Sequence, residues 1–230
     1  VANALKYKAG VYFTQMGPHD QSFITGNSTL SLRGIKGGTL VLINGVPASF
    51  NNVSHLDMMN LDTVEKVEVV KGGGAVLYGS EAYGGVINVI TKSEYKNSLH
   101  IAAGNKGQRD YSATISAGKL GVTLGRNEMG ETGILTQKQG TKTINGVRVP
   151  YYTGFGDSKK DHLGVSYKFD DKLSFNYMFD KKKYTIDYLG ADNSKLQHFD
   201  YDDREHFAQL HFNDQNGFDA TAYYNERIIR

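Results

Sequence analysis

EVVKGGGAVLYGSEAYGGVINVITK, residues 68–92, decides how the rest of the chain is read. It holds the end of one β-branched run, VEKVEVV at residues 64–70, and all of another, VINVI at residues 86–90. Such residues suit a pleated, half-buried sheet. Between the runs stand Gly72, Gly73, Gly74, Gly79, Gly84 and Gly85, expected where the backbone takes positive φ or a second backbone comes close. A phosphate cradle is the rival reading of such glycines. It fails because no G-x-x-x-x-G-K-[ST] pattern occurs and no long helix follows the triple glycine.

Upstream, LVLI at residues 40–43 predicts a strand buried on both faces, closed by a tight turn at Asn44 and Gly45. Residues 11–13 and 30–33 supply further strands, with Gly34 ending the second. Residues 2–7 read as a short helix stopped near Gly10, and Ser54 caps another through Met59. The expectation is a small mixed sheet with a few short helices.

Beyond residue 96 the sequence changes character, as Tyr and Phe alternate with Ser, Thr, Asn, Lys and Asp. Leu99, Ile101 and Ala103 oppose Ser98 and His100. Tyr111, Ala113, Ile115 and Ala117 oppose Ser112, Thr114 and Ser116, and Leu120, Val122 and Leu124 oppose Gly121, Thr123 and Gly125. The period of two continues through residues 163–169, 173–179, 206–213 and 218–224, giving about seven strands. A soluble antiparallel sheet has the same pattern. Connection length separates the two: residues 118–119, 170–172 and 213–217 read as tight turns, and 128–160 and 183–203 as long polar loops, an asymmetry of outer-membrane barrels. Tyr111, Tyr167, Phe169, Phe212, Phe218 and Tyr224 then fall where interfacial girdles belong.

Composition narrows the classes further. The 230 residues are 39% hydrophobic with a net charge of +2, and mean hydropathy is -0.44. No apolar run approaches the roughly 20 residues of a spanning helix, which leaves strands of about 9–11 residues as the route through a bilayer. Lys and Arg are scattered along the chain, so a nucleic-acid partner is set aside. Cysteine is absent, which removes disulfides, thiolate metal sites and thiol nucleophiles. There is no G-x-S-x-G or H-E-x-x-H motif, and Glu65 and Glu68 fall on opposite faces of a strand, so no enzyme is expected.

Together with SLRG at residues 31–34 and TLVLINGVP at residues 39–47, the opening stretch closely resembles the plug domain of TonB-dependent outer-membrane receptors. The resemblance runs nearly end to end over residues 1–92. It implies a mainly β fold: a small mixed αβ plug domain, residues 1–93, followed by antiparallel transmembrane β-barrel strands, residues 94–230. Barrels of the family close at about 22 strands. About seven strands make an incomplete wall, and open edges in hydrocarbon leave backbone groups unpaired, so the remaining strands are expected from the rest of the chain or another polypeptide.

The resemblance also implies active uptake of a scarce nutrient at the outer membrane of a Gram-negative-type bacterium. An iron chelate, a ferric siderophore or haem, is the foremost cargo, with cobalamin or a glycan as alternatives. The inner-membrane TonB complex and outer-membrane lipid are the implied partners, and no cofactor is implied. The family's TonB box lies upstream of the position matching Val1. A soluble α+β binding protein is the rival from another class.

By the same resemblance Arg33 and Glu68, with Lys71 where arginine is usual, belong to the region locking plug to wall. A lysine offers a point charge in place of a bidentate fork. Two further departures are Gly73 and Gly74, where the family has proline or serine, and Asn44, where aspartate usually precedes Gly45. The apical plug loops around residues 17–29 and 48–55 offer Gln15, His19, Asp20, Phe23, Phe50 and His55 as substrate contacts, and Tyr151 and Tyr152 are comparable candidates beyond the plug. His198, Asp200, Asp202 and His206, with Asp203 beside them, form the densest ligand-like group, and spacing by two on a strand makes them candidate metal ligands.

Overall fold

The apolar run at residues 39–43 becomes a strand with both faces buried, and a small mixed sheet is built around it. The computed structural model describes residues 5, 10–13, 30–36, 38–48, 56, 59–72, 78–79, 82–134 and 139–230. Of the two short helices expected near the start, only Leu5, Leu56 and Met59 are described, and all three are buried.

Strands β1 (Val11–Phe13), β2 (Leu30–Leu32) and β3 (Ile35–Lys36) form a three-stranded antiparallel sheet. Strands β4 (Thr39–Ile43), β5 (Val46–Pro47), β6 (Val64–Lys71) and β7 (Gly85–Thr91) form a second sheet, in the order β5-β4-β7-β6. Within it β4 and β7 run parallel and β6 and β7 antiparallel. The turn between β4 and β5 places Asn44 at φ 49° and Gly45 at φ 81°, the left-handed pair that a two-residue hairpin requires. Gly85 has φ 134°, and a Cβ there would meet the Val70 carbonyl oxygen at 2.4 Å, so only glycine fits. Gly34, Gly72 and Gly79 also take positive φ. Gly84 is used differently, its N–H donating to the Gly38 carbonyl at 2.7 Å.

The second unit is one antiparallel wall. Its strands are β8 (Ser98–Ala103), β9 (Arg109–Ala117), β10 (Leu120–Met129), β11 (Gly133–Ile134), β12 (Gly140–Ile144), β13 (Val147–Lys168), β14 (Leu173–Leu189), β15 (Lys195–Asn213) and β16 (Asp219–Ile229). Seven of them pair in the order β16-β15-β14-β13-β10-β9-β8, with β11 and β12 attached to β13. The stretches expected as long loops are therefore largely ladder. Only residues 190–194 separate β14 from β15, and β13 alone is 22 residues long. Polar composition misled here because strands that rise beyond an apolar layer lose their hydrophobic alternation while their backbone pairing continues.

Burial in the wall is inverted relative to a water-soluble sheet. The polar face is covered: Ser112, Thr114, Thr123, His162, Ser166, Asp180, Lys182, Asp203, Glu205 and Gln209 are all buried. The apolar face is bare, with Leu99 at 74% exposure and Ile101, Ile115, Leu124 and Leu210 also exposed. Among the described residues no helix is long and apolar enough to cross a membrane. A bare apolar belt on paired strands is how a barrel faces hydrocarbon. All six girdle aromatics are exposed, and two pairs touch: Tyr167 with Phe169 at 4.8 Å and Phe212 with Phe218 at 6.2 Å between ring centroids.

Candidate functional site

The buried polar face of the wall is covered by the plug. Met178 of β14 and Phe207 of β15 belong to the same apolar cluster as Leu32, Val41, Ile43, Ile87 and Val89 of the plug sheets. Burying a side chain such as Phe207 contributes about 1.5–3 kcal/mol. Several polar neighbours on this face are paired, as buried groups usually are. His162 Nδ1 and Asp180 Oδ1 are 2.8 Å apart, the hydroxyls of Thr114 and Thr123 are 3.1 Å apart, and Arg227 Nε donates to Asp203 Oδ1 at 2.9 Å.

Glycines on the wall act as notches for plug and linker side chains. A Cβ on Gly125 would lie 2.5 Å from Asn60 Nδ2, one on Gly164 would lie 2.8 Å from Thr63 Cγ2, and one on Gly121 would meet the Tyr95 ring at 2.2 Å. Asn60 caps a single 3-10 turn, Leu61–Thr63, by accepting from the Asp62 N–H at 3.0 Å, which fixes both Asn60 and Thr63 against the wall.

One polar contact joins the two units at the Asn44 turn. Asn44 Nδ2 donates to Gln209 Oε1 at 2.9 Å and to Thr91 Oγ1 at 2.8 Å, and its Oδ1 accepts from the Thr91 N–H at 2.8 Å. Gln209 Nε2 returns a longer bond of 3.4 Å to the Asn44 carbonyl. Gln209 is 1% exposed although it is an amide in mid-strand. Its partner stands where sequence reading noted only a departure from aspartate.

Of the expected lock residues, all on the plug, Glu68 is linked to this contact. Glu68 binds Lys66 at 2.7 Å and accepts from Asn88 Nδ2 at 3.4 Å, while Asn88 Oδ1 accepts from the Gly45 N–H at 3.0 Å. Glu68 thus reaches the wall at two removes, through Asn88 and the Asn44 turn. Lys66 beside it holds the Glu68 carboxyl below the usual carboxylate range. Arg33 is exposed at φ 55°, its Nη1 3.6 Å from where a Cβ on Gly72 would stand, and it forms no ion pair with a described residue. Lys71 reaches back to the first strand, its Nζ 3.4 Å from where a Cβ on Gly10 would stand.

The proposed apical contacts Gln15, His19, Asp20, Phe23, Phe50 and His55 lie outside the described residues. Tyr151 enters an aromatic panel on the same side of the wall as the plug. Pairing carries that side upward from Met178 through Tyr184, Ile186 and Tyr188 of β14, opposite Tyr201 and Phe199 of β15. Tyr184 stacks on Tyr201 at 4.8 Å, Tyr151 meets Tyr188 at 4.4 Å, and Tyr188 meets Phe199 edge-on at 5.0 Å. Lys142 Nζ stands 4.3 Å from the Tyr188 ring centroid. Tyr152 alternates to the other side and pairs with Leu189.

The four candidate metal ligands do not converge. His198 pairs with Asp187 at 2.5 Å and Asp200 at 3.2 Å, Asp202 is forked by Arg204, and His206 Nδ1 bonds the Tyr177 hydroxyl at 2.9 Å. Among the described residues no group of three or more His, Cys, Asp or Glu side chains is placed to hold a metal ion. Spacing by two puts such residues on one face but about 6–7 Å apart along the strand, too far to share an ion without a bend.

A plug filling the polar side of a wall whose other side is an apolar belt defines a plugged outer-membrane barrel. Residues 1–86 match the family model described as the TonB-dependent Receptor Plug Domain. The vitamin B12 transporter BtuB of Vibrio cholerae is 28% identical over 211 residues, covering 84% of this chain and 33% of that transporter. The chain therefore spans about a third of the length of the curated relatives it matches. Pseudomonas aeruginosa FpvA bound to heterologous pyoverdines is similar with a TM-score of 0.60 at 13% identity, over 99% of this chain and 31% of that one. The copper transporter OprC gives a TM-score of 0.58 at 17% identity, over 98% and 34%. At these identities the structures share the fold. Residues 1–86 thus match a TonB-dependent receptor plug domain, and the chain shares the plug-and-wall fold of these solved structures.

Proposed function

We propose that this chain supplies the plug, residues 1–93, and the first wall strands, residues 94–230, of a receptor that takes up an iron chelate with energy delivered by the TonB complex. The observation that carries the cargo assignment is the aromatic panel of Tyr151, Tyr184, Tyr188, Phe199 and Tyr201 with Lys142 against it. Tyr184 lies six residues beyond Met178 on β14, so the panel begins about 20 Å above the plug contact, on the hairpin side of the wall. Flat rings beside an ammonium group suit a ligand that is both aromatic and anionic, the chemistry of catecholate and porphyrin chelates. The pyoverdine complex named in the FpvA structure is in keeping with such cargo.

Cobalamin is the second reading, favoured by the 28% identity to a vitamin B12 transporter. The full receptor, expressed in cells stripped of their own receptors, separates the two. Radiolabelled ferric chelates should accumulate only when TonB is present, and labelled cobalamin should not. Accumulation of cobalamin alone replaces the cargo, and accumulation of neither ends the uptake reading.

A further inference from the structure

We propose that the lumen opens along one seam, between the Asn44–Gly45 turn of the plug and the β14–β15 face of the wall, with the Asn44–Gln209 amide pair as its latch. This rests on the receptor reading above. Among the described residues the plug meets the wall in three ways. Met178 and Phe207 join the plug's apolar cluster, and parting them would bare hydrocarbon to water. Asn60 and Thr63 are keyed by shape into the space over Gly125 and Gly164. Among the described residues, only the Asn44 turn is joined to the wall by neutral hydrogen bonds, which water can replace on opening.

Space for that water is already present. A cavity of about 470 Å³ lies directly beside the latch, and both Asn44 and Gln209 line it. Its other walls include Asn88 and Lys92 of the plug side and Asp170, Lys172 and His211 at the turn end of the wall. The cavity is polar where the latch would release its amides, so neither Asn44 nor Gln209 is left unsatisfied in the open state. Above the latch the seam is bounded by Phe207, two residues along β15, where the apolar contact begins. The seam thus runs from the latch to the turn end, with the cavity as its vestibule.

The turn itself is built to move as a unit. Gly45 is tied to Asn88 at 3.0 Å and Asn44 is tied to Thr91 through both ends of its amide, so the hairpin tip and β7 travel together. Among the described residues no ion pair ties this turn to the wall. An aspartate at position 44 would retain the backbone bond but lose the donor that reaches Gln209.

The test is a reversible bridge. The chain contains no cysteine, so Asn44→Cys with Gln209→Cys can be joined in the full receptor by a bis-thiosulfonate linker and released by a reducing agent. Bridging should reduce TonB-dependent uptake of radiolabelled ferric chelate at least tenfold with cargo affinity unchanged, and reduction should restore it. Uptake at the unbridged rate through the bridged receptor overturns the seam. The unbridged double variant is the control for folding: it must take up cargo in a TonB-dependent way. If the wild-type receptor itself shows no such uptake, the receptor reading falls and the seam with it. An independent arm uses Gln209→Ala, which should raise sensitivity to a large antibiotic excluded by the intact outer membrane several-fold. Unchanged sensitivity in folded Gln209→Ala receptor counts against the latch.

Discussion

Thr63 of the plug fills the space that Gly164 of the wall leaves open: a Cβ on Gly164 would stand 2.8 Å from Thr63 Cγ2. The two residues lie in different units, so one methyl group tests how closely plug and wall are fitted. Gly164→Ala should destabilise the seated plug by about 1–3 kcal/mol, the usual penalty for overpacking. Thr63→Ser removes the clashing methyl and keeps the hydroxyl that donates to the Asn60 carbonyl at 2.9 Å. Adding it to Gly164→Ala should recover most of the loss. Thermal unfolding of the purified full receptor measures both steps, and equal destabilisation in the single and double variants would mean that the two residues are not in contact.

The inverted burial of the wall makes a second prediction. Val165 pairs with Val122 on one side and Tyr177 on the other, in the middle of the bare apolar belt. Val165→Arg should cost about 2–4 kcal/mol of folding in lipid, the midplane value for a charge facing hydrocarbon. Lys183 stands on the same face of the wall beyond the belt, paired with Lys159 and Asp202. Its replacement by alanine should change folding by less than about 1 kcal/mol. Folding of both variants into vesicles, followed by urea titration, gives the comparison. Equal stability for Val165→Arg and wild type would place that face elsewhere than in lipid.

How far the sequence could be read depended on which solvent each residue meets. Strand β4 was legible because LVLI is a continuous apolar run, and β6 and β7 because VEKVEVV and VINVI are rich in β-branched residues, with glycine marking the turns. The belt was legible through Leu99 to Leu124 because one face meets hydrocarbon and the other does not. Beyond Asp161 on β13 and Asp180 on β14 neither face meets hydrocarbon, the alternation fades, and continuing ladder reads as loop. By alternation alone Gln209 falls on the polar side of a strand, and its role depends on a partner 165 positions away, which no local pattern reports. Gly125 and Gly164 left a usable sign: small residues recurring on the polar face of a wall mark where something comes close. Glu68 was singled out by resemblance, and its described bonds are to Lys66 and Asn88 of the plug sheet.

Glu68 gives a pH prediction whose sign follows from its neighbours. Lys66 is the largest influence and lowers the Glu68 carboxyl below its usual value of 4.5, with Asn88 adding to the effect. A carboxyl depressed in the folded state contributes stability that is complete above the unfolded value and lost as pH falls through the folded one. Plug stability should therefore decline on acidification below about pH 4.5 and be flat above it as far as this group is concerned. Glu68→Gln should remove that part of the decline, so that the variant and wild type converge at low pH. The effect is small, because the pair is exposed to solvent and weakened by salt. Thermal melts of the two receptors across the acid range, at low salt, check it; a gap between them that widens on acidification would reverse the sign.

The aromatic panel yields the prediction closest to function. Tyr188 is its hub, touching Tyr151 at 4.4 Å and Phe199 at 5.0 Å, with Lys142 4.3 Å from its ring centre. If the rings receive an aromatic, anionic chelate, removing the hub ring should weaken binding more than removing its hydroxyl. Tyr188→Ala should raise the Kd for a ferric catecholate about tenfold, equal to about 1.4 kcal/mol, within the range of a lost ring and cation contact. Tyr188→Phe should change it less than about threefold. Lys142→Ala should act in the same direction as Tyr188→Ala but lose more at low ionic strength, since part of its effect is attraction of charge through solvent. Titration of the full receptor with the chelate, following quenching of its tyrosine fluorescence, measures all three. Indifference of Kd to Tyr188→Ala, with the variant still folded, would leave the panel as a packing core for the hairpins and move the cargo site off this part of the wall.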